Sequence, residues 1–136
     1  MKLSRTIAYA IHATLQLAGG ERGVPIPCSQ LANEGQMPER FLLQILRSLV
    51  TRGLLCSTRG VDGGYCLARP ADQISLRDIV EAFDNPLSPG IPALDALAPD
   101  VRKRILSSLN NASAAAHNEL AKLTMADLTR TSRSGA

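Results

Sequence analysis

The chain has 136 residues, a length that suits one compact domain with an extension. Its apolar fraction of 45% is sufficient for a core, and its aromatic fraction of 3% means that this core must be aliphatic. The net charge of +3 does not by itself indicate nucleic-acid binding, because the first 84 residues carry nine basic and eight acidic side chains. Any affinity for DNA would have to come from where the arginines lie and from doubled contacts in a dimer.

The sequence favours a cytoplasmic protein without a membrane anchor. Its N-terminal stretch is basic and then apolar, like a signal peptide, but Arg5, His12 and Gln16 interrupt the apolar run. An odd number of cysteines without a CxxC spacing argues against a secreted disulfide framework. The three cysteines are Cys28, Cys56 and Cys66.

Residues 3–18 predict an amphipathic first helix, ended by Gly19 and Gly20. The side chains expected on its buried face are Leu3, Ile7, Ala10, Ile11, Thr14 and Ala18. Those expected on its outer face are Arg5, Tyr9, His12 and Gln16. Pro25 and Pro27 then predict a loop over residues 21–27.

Residues 28–52 predict a helix-turn-helix. A short helix over 28–34, with Ser29 as its N-cap, leads through a turn at Gly35 into a second helix over 38–52. Periodicity places Phe41, Leu42, Ile45, Leu46 and Leu49 on the buried face of the second helix. It places Arg40, Leu43, Gln44, Arg47 and Thr51 on the other face.

A β-hairpin is predicted next, with strands over 54–58 and 65–68. Its turn would be made by Gly60, Asp62, Gly63 and Gly64. A helix with a polar face followed by a glycine-tipped basic hairpin is typical of a DNA-binding unit. The helix would enter the major groove, and the hairpin would contact the backbone or the minor groove.

The C-terminal third predicts a helix over 74–84 capped by Ser75, a proline-containing linker over 85–98, and one long helix over 99–130. The pair Asn110-Asn111 could bend or break the long helix. Its Leu and Ala stripe has no partner of matching length in the chain, so we expect a two-fold dimer, with an intrachain core as the alternative. Residues 131–136 are expected to be disordered.

Three segments together resemble the IscR/NsrR-type winged-helix regulators of bacteria. They are MKLSRTIAYAIHATLQLA, PERFLLQILRSLVTRGLL, and STRGVDGGYCLARP followed by ISLRDIVEA. The resemblance implies a mainly α fold: a winged helix-turn-helix over 1–84 with a small β-hairpin wing, and a long C-terminal dimerisation helix. It also implies a homodimer that binds a pseudo-palindromic operator in double-stranded DNA, usually as a repressor, and that responds to an unknown small-molecule or protein effector.

The resemblance assigns DNA contacts to Ser4, Arg5, Arg40, Phe41, Leu43, Gln44, Arg47, Arg59 and Gly60. Gln44 can bond adenine through its amide, and Arg40 or Arg47 can bond guanine or phosphate. Leu43 departs from the family pattern, in which Glu is common, and could contact a thymine methyl. Asp62 also departs from it, because a carboxylate near phosphate is repulsive.

Many relatives hold an iron–sulfur cluster through three cysteines in the linker between the winged helix-turn-helix, here called the head, and the C-terminal helix, here called the tail. Residues 85–104 contain no cysteine here, so the sequence predicts no cluster and no other metal site. Cys56 and Cys66 flank the hairpin, where we expect buried apolar thiols and keep a redox switch as the alternative. Cys28 starts a helix whose dipole could lower its pKa, but we expect an incidental, semi-buried thiol there. His12 is expected to be half-exposed, with sensing as its alternative.

Two other classes of function were weighed. No nucleophile–base pair, metal-ligand spacing or phosphate-binding loop is evident, so an enzyme is not expected. The near-neutral head, Leu43 and Asp62 leave open a protein-interaction module of the same fold, which would dock a partner instead of DNA.

Overall fold

The computed structural model describes the backbone of residues 3–83 and 96–134 and the side chains of 3–83 and 96–130. The helices are α1 (Arg5–Gly19), α2 (Cys28–Gly35), α3 (Glu39–Thr51), α4 (Leu76–Glu81), α5 (Pro99–Ala121) and α6 (Met125–Ser134). The strands are β1 (Leu55–Thr58) and β2 (Gly64–Leu67), and a 3-10 turn spans Ala71–Gln73. This mainly helical fold with one antiparallel hairpin confirms the predicted fold class. Most of the predicted linker, residues 85–95, lies outside the described residues.

An aliphatic core forms where α1, α2 and α3 meet the base of the hairpin. Four of the five side chains predicted on the buried face of α3 are buried, and Phe41 is half-buried. Burying each such leucine fully contributes about 1.5–3 kcal/mol. Phe41 instead packs edge-to-face on Tyr9, with ring centroids 5.8 Å apart. The sequence pattern placed Tyr9 on the outer face of α1, and this contact shows that the prediction was wrong.

The buried face of α1 differs from the predicted one. Ile7, Ala10 and Thr14 are buried as expected, but Leu3 is 46% exposed. The structure adds Ala13 and Leu17 to the core. The reason is that α1 contacts α3, α4 and α6 on different sides, so its covered face is wider than one helical stripe.

The helix starts also correct the sequence analysis. Pro27 and not Ser29 occupies the N-cap of α2, and it has no side chain to accept a hydrogen bond. The left-handed residue that ends α2 is Gln36, at φ 54°, and not Gly35. A Cβ at Gly35 would lie 2.5 Å from Cε of Met37, so a larger residue there would require the end of the Met37 side chain to move. Met37 is buried beneath this turn.

The hairpin is held at a defined register against the helical core. Gly53, at φ 76°, ends α3 as predicted, and Leu55 pairs with Leu67 across the two strands. Ile26 and Tyr65 exchange two backbone hydrogen bonds of 2.9 Å, which tie β2 to the loop before α2. These contacts fix the orientation of the hairpin, which lies beside α3.

The single long tail helix was a wrong prediction. The chain runs helically through Asn110-Asn111, but α5 ends at Ala121 and α6 begins at Met125. Met125 is fully buried in the head core and donates a 2.8 Å backbone hydrogen bond to the Ile74 carbonyl. The last helix therefore folds back on the head, and its backbone is helical to Ser134, where disorder was expected from residue 131.

The two halves of α5 have different surroundings. Ala116 and Leu120 in its C-terminal half pack against the buried pair Ile7 and Val80, as Phe83 also does. Its N-terminal half exposes apolar side chains, with Val101 47% exposed and Leu109 39% exposed. Among the described residues, the intrachain packing that the sequence left as an alternative thus accounts for the second half of α5.

Candidate nucleic-acid interface

The outer face of α3 presents three exposed polar side chains in a row. They are Arg40, Gln44 and Arg47, spaced four and three residues apart, which places them on one side of the helix. Leu43 beside them is half-buried, so part of its apolar surface is already covered within the chain. The row combines an amide that can donate and accept with two guanidinium groups, which are the groups that read base edges and phosphates.

A groove of about 500 Å³ separates α3 from the hairpin. Its walls are Arg47, Val50 and Thr51 on the helix and Ser57, Thr58, Arg59, Gly64 and Tyr65 on the hairpin. The groove joins the exposed row of α3 to Arg59. The sequence pattern did not indicate the hydroxyls of Ser57 and Thr58, both of which are exposed on β1.

The hairpin tip needs glycine at two positions. Gly60 has φ 109°, and a Cβ on Gly63 would lie 2.2 Å from the Thr58 carbonyl oxygen. This tight turn leaves Arg59 and Asp62 exposed at the tip. The tip therefore carries one positive and one negative side chain, as the sequence suggested.

The starts of α1 and α2 lie outside this groove. The Ser4 hydroxyl accepts a 3.2 Å hydrogen bond from the Ile7 amide as the N-cap of α1, and Arg5 is exposed next to it. Ser29 and Gln30 are exposed in the first turn of α2. In helix-turn-helix proteins the first helix of the motif crosses the DNA backbone. Ser29 and Gln30 are therefore candidates for contact with the DNA backbone, and the sequence pattern did not indicate them.

The hairpin cysteines lie next to each other. Cys56 and Cys66 are paired across the strands, and their Sγ atoms are 3.0 Å apart. The hydrogen bond with Cys56, then burial and then the charge of Cys56 raise the pKa of Cys66 to about 11. The expectation that both are buried was wrong, because Cys56 is exposed and Cys66 is half-buried.

The other candidate sensing residues are separate from this pair. Burial and then the Glu39 carboxylate raise the pKa of Cys28, which is opposite to the predicted effect of the helix dipole. His12 is exposed on α1 near the turn that follows α2. His117 is largely buried, with Nε2 3.8 Å from a Glu81 carboxylate oxygen.

Within residues 3–83 and 96–130, no three His, Cys, Asp or Glu side chains converge as metal ligands would. Over the same part of the chain, no helix combines the length and the apolar character that crossing a bilayer requires.

Taken together, the helix-turn-helix, the adjoining hairpin and the groove between them define a winged helix-turn-helix protein. The Rrf2 family model, described as an iron-dependent transcriptional regulator, matches residues 3–131. The chain belongs to the Rrf2 family, which confirms the resemblance drawn from its motifs.

Two relatives illustrate the sequence similarity. A Mycobacterium tuberculosis protein named as a candidate HTH-type transcriptional regulator is 40% identical over 88 residues, which are 65% of this chain and 55% of that protein. The HTH-type transcriptional regulator CymR of Bacillus subtilis is 32% identical over 89 residues, covering 65% and 64%. The matched region thus spans little more than half of the first relative.

Two solved structures show the same fold. CymR (YrzC), the global cysteine regulator of B. subtilis, superposes with a TM-score of 0.76 at 27% identity, covering 96% of this chain and 98% of that one. The IscR of T. potens superposes with a TM-score of 0.72 at 26% identity, covering 97% and 88%. Both CymR and the IscR of Cronobacter sakazakii are named as HTH-type transcriptional regulators.

Proposed function

We propose that this chain is a homodimeric transcriptional regulator, acting as a repressor, that binds a pseudo-palindromic site in double-stranded DNA. The observation that carries the proposal is the exposed row of Arg40, Gln44 and Arg47, continued through the groove to Arg59 on the hairpin. Helix α3 would lie in the major groove and the hairpin would contact the minor groove.

The side chains have distinct roles in this proposal. The Gln44 amide would bond adenine through two hydrogen bonds, and Arg40 and Arg47 would bond guanine or phosphate. Arg59 beside Gly60 would approach a narrow minor groove, where the negative potential is strongest. The hydroxyls of Ser57 and Thr58 and the start of α2 would contact phosphates, which set the position of the protein on the duplex.

Dimerisation is supported by the exposed apolar side chains in the N-terminal half of α5. At 23 residues this helix is about 34 Å long, and among the described residues the packing on the head involves Ala116 and Leu120 in its second half. Pairing two copies around a two-fold axis would bury Val101 and Leu109 and present two α3 helices to successive major grooves.

We also propose that the regulator works without an iron–sulfur cluster. Residues 85–104 contain no cysteine, and two of the three thiols lie on the hairpin. Such a cluster needs several thiolates at one place. Iron and acid-labile sulfide analysis of protein purified without oxygen tests this, and stoichiometric iron and sulfide would contradict it.

The DNA-binding proposal is tested by selecting bound fragments from genomic DNA and measuring their affinity by fluorescence anisotropy. Replacing Gln44 or Arg59 with alanine should weaken binding by about 1–3 kcal/mol each. Gln73→Ala and Lys122→Ala are matched controls, because both residues are exposed away from the groove, and should leave affinity unchanged.

Salt dependence distinguishes DNA binding from the protein-docking alternative. Phosphate contacts release counterions, so affinity for DNA should fall steeply as salt rises. A selection that yields no DNA fragment, or an affinity unaffected by Gln44→Ala and Arg59→Ala, would contradict the proposal.

A further inference from the structure

The two hairpin cysteines lie where a disulfide can form. The Ala68 amide donates a 3.0 Å hydrogen bond to the Leu54 carbonyl, and Cys56 and Cys66 are two residues further along each strand. They are therefore another hydrogen-bonded pair of the ladder, whose Cα atoms lie about 5.5 Å apart. That separation is within the range of about 4.4–6.8 Å found for disulfides.

The side chains also point to the same side of the hairpin, away from the core. Leu55 is only 2% exposed, and strand side chains alternate, so Cys56 lies on the opposite, solvent-facing side. The Sγ atoms of Cys56 and Cys66 approach to 3.0 Å, about 1 Å longer than a disulfide bond. A small rotation of either side chain would close this gap.

We propose that Cys56 and Cys66 form an oxidation site at which a peroxide converts the thiol pair into a cross-strand disulfide. Cys56, which is exposed, reacts with the oxidant, and Cys66 on the neighbouring strand then attacks the oxidised sulfur to form the disulfide. The inference does not depend on DNA binding, although the disulfide would join the two strands that carry Arg59.

The reaction balances with hydrogen peroxide as the oxidant. The Cys56 thiolate attacks one peroxide oxygen, an S–O bond forms, the O–O bond breaks, and hydroxide leaves and is protonated to water. The Cys66 sulfur then attacks the Cys56 sulfur, the S–S bond forms, the S–O bond breaks, and the second oxygen leaves as water. Two thiols lose two electrons and two protons, and one peroxide is reduced to two waters.

The order of attack follows from exposure. Cys56 is exposed and Cys66 is half-buried, so peroxide reaches the Cys56 sulfur first. The raised pKa of Cys66, caused first by its hydrogen bond with Cys56, keeps the proton on Cys66 at neutral pH. Because the product is exposed, glutathione should reduce it again.

The test uses the full chain, reduced and then treated with hydrogen peroxide, followed by denaturation, labelling with N-ethylmaleimide and intact mass measurement. Reduced protein should take three labels and oxidised protein one, with a peptide map that links Cys56 to Cys66. The Cys28→Ser variant is the matched control and should change from two labels to none. Glutathione should restore the labels in both.

Serine replacement at Cys56 or Cys66 should abolish the linked peptide, and circular dichroism checks that each variant is folded. Three labels after peroxide would overturn the proposal. Overoxidation of Cys56 with Cys66 still labelled, or a disulfide that involves Cys28 or joins two chains, would overturn it as well. The peptide map of the unmodified sequence decides these outcomes even if a variant does not fold.

Discussion

Gly64 is a residue at which the hairpin closely approaches the loop before α2. Its φ is 155°, and a Cβ built there would lie 2.4 Å from the carbonyl carbon of Ile26 and 2.5 Å from its oxygen. These atoms belong to the backbone that bonds Tyr65, so they cannot move without breaking that bridge. The hairpin therefore keeps its place beside α3 only with glycine here.

We expect Gly64→Ala to lower the free energy of unfolding by about 1–3 kcal/mol, because the methyl group forces the two backbones apart. Urea unfolding measures this. Gly19→Ala is the control, since a Cβ there has no neighbour within 4 Å, and alanine in a helix should change stability by about 1 kcal/mol or less. Equal free energies of unfolding for the two variants would show that Gly64 and the Ile26 backbone are not in tight contact.

Cys28 supplies a second prediction at this scale. The Glu39 carboxylate is the smaller of the two causes that raise its pKa, after burial. Glu39→Gln should lower that pKa and speed alkylation of Cys28 at neutral pH, by less than about tenfold because burial remains. The rate is followed in a Cys56→Ser/Cys66→Ser background, with Glu34→Gln as the control. A rate that does not rise would contradict the assigned cause.

At the scale of elements, the contact between the starts of α4 and α6 positions the last helix against the head. At the start of α4, the Asp78 carboxylate accepts a hydrogen bond from the Ser75 amide, and the Ser75 hydroxyl accepts one from the Asp78 amide. Thr124 and Asp127 make the same two hydrogen bonds at the start of α6. The two caps lie side by side, and the Leu76 amide donates a 2.9 Å bond to the Leu123 carbonyl. Two capping boxes thus seal α6 against the head.

Removing the second cap should loosen α6. Thr124→Ala should lower the free energy of unfolding by about 0.5–2 kcal/mol, because the Asp127 amide loses its acceptor. Ser108→Ala removes an exposed hydroxyl from α5 and is the control. Hydrogen exchange should show faster exchange in α6 for Thr124→Ala only, and uniform exchange in both variants would contradict the capping role.

The same cap predicts a pH dependence. Hydrogen bonds from the Thr124 backbone and hydroxyl, then from Arg130, hold the pKa of Asp127 below its ordinary value of 3.8. A lowered folded-state pKa means that this stabilisation is present above 3.8 and is lost as the pH falls through the folded-state value. Asp127→Asn should therefore be less stable than the original chain near neutral pH, with the difference shrinking in acid. A difference independent of pH would exclude the carboxylate as its cause.

At the scale of the whole molecule, the second half of α5 packs on the head and its first half exposes Val101 and Leu109. The proposed two-fold dimer would bury these two side chains, so a charge placed there should separate the copies. Leu109→Glu should give monomers in sedimentation equilibrium at concentrations where the original chain is dimeric. Ala114→Glu is the control, because Ala114 is exposed and lies about 140° around the helix from Leu109.

Loss of the dimer should also weaken binding to a palindromic site far more than to a single half-site. If Leu109→Glu and Ala114→Glu behave alike, the first half of α5 is not the interface. A monomeric original chain would contradict the dimer proposal directly.

The sequence by itself determined the fold class, the buried face of α3, the glycine that ends it and the capping of α4 by Ser75. These features depend on neighbours within a few residues, so periodicity and cap chemistry express them fully. The winged-helix motifs were sufficient to recognise the family for the same reason, since they are continuous in the chain.

Only the tertiary structure decided the features that join distant segments. The return of α6 to the head depends on Met125 filling a core space beside Ile74, which no local pattern announces. The exposure of Cys56, its 3.0 Å approach to Cys66 and the groove between α3 and the hairpin depend on strand register and on how the hairpin packs. Packing of side chains that lie far apart in the sequence sets these distances, and composition and spacing carry no measure of it.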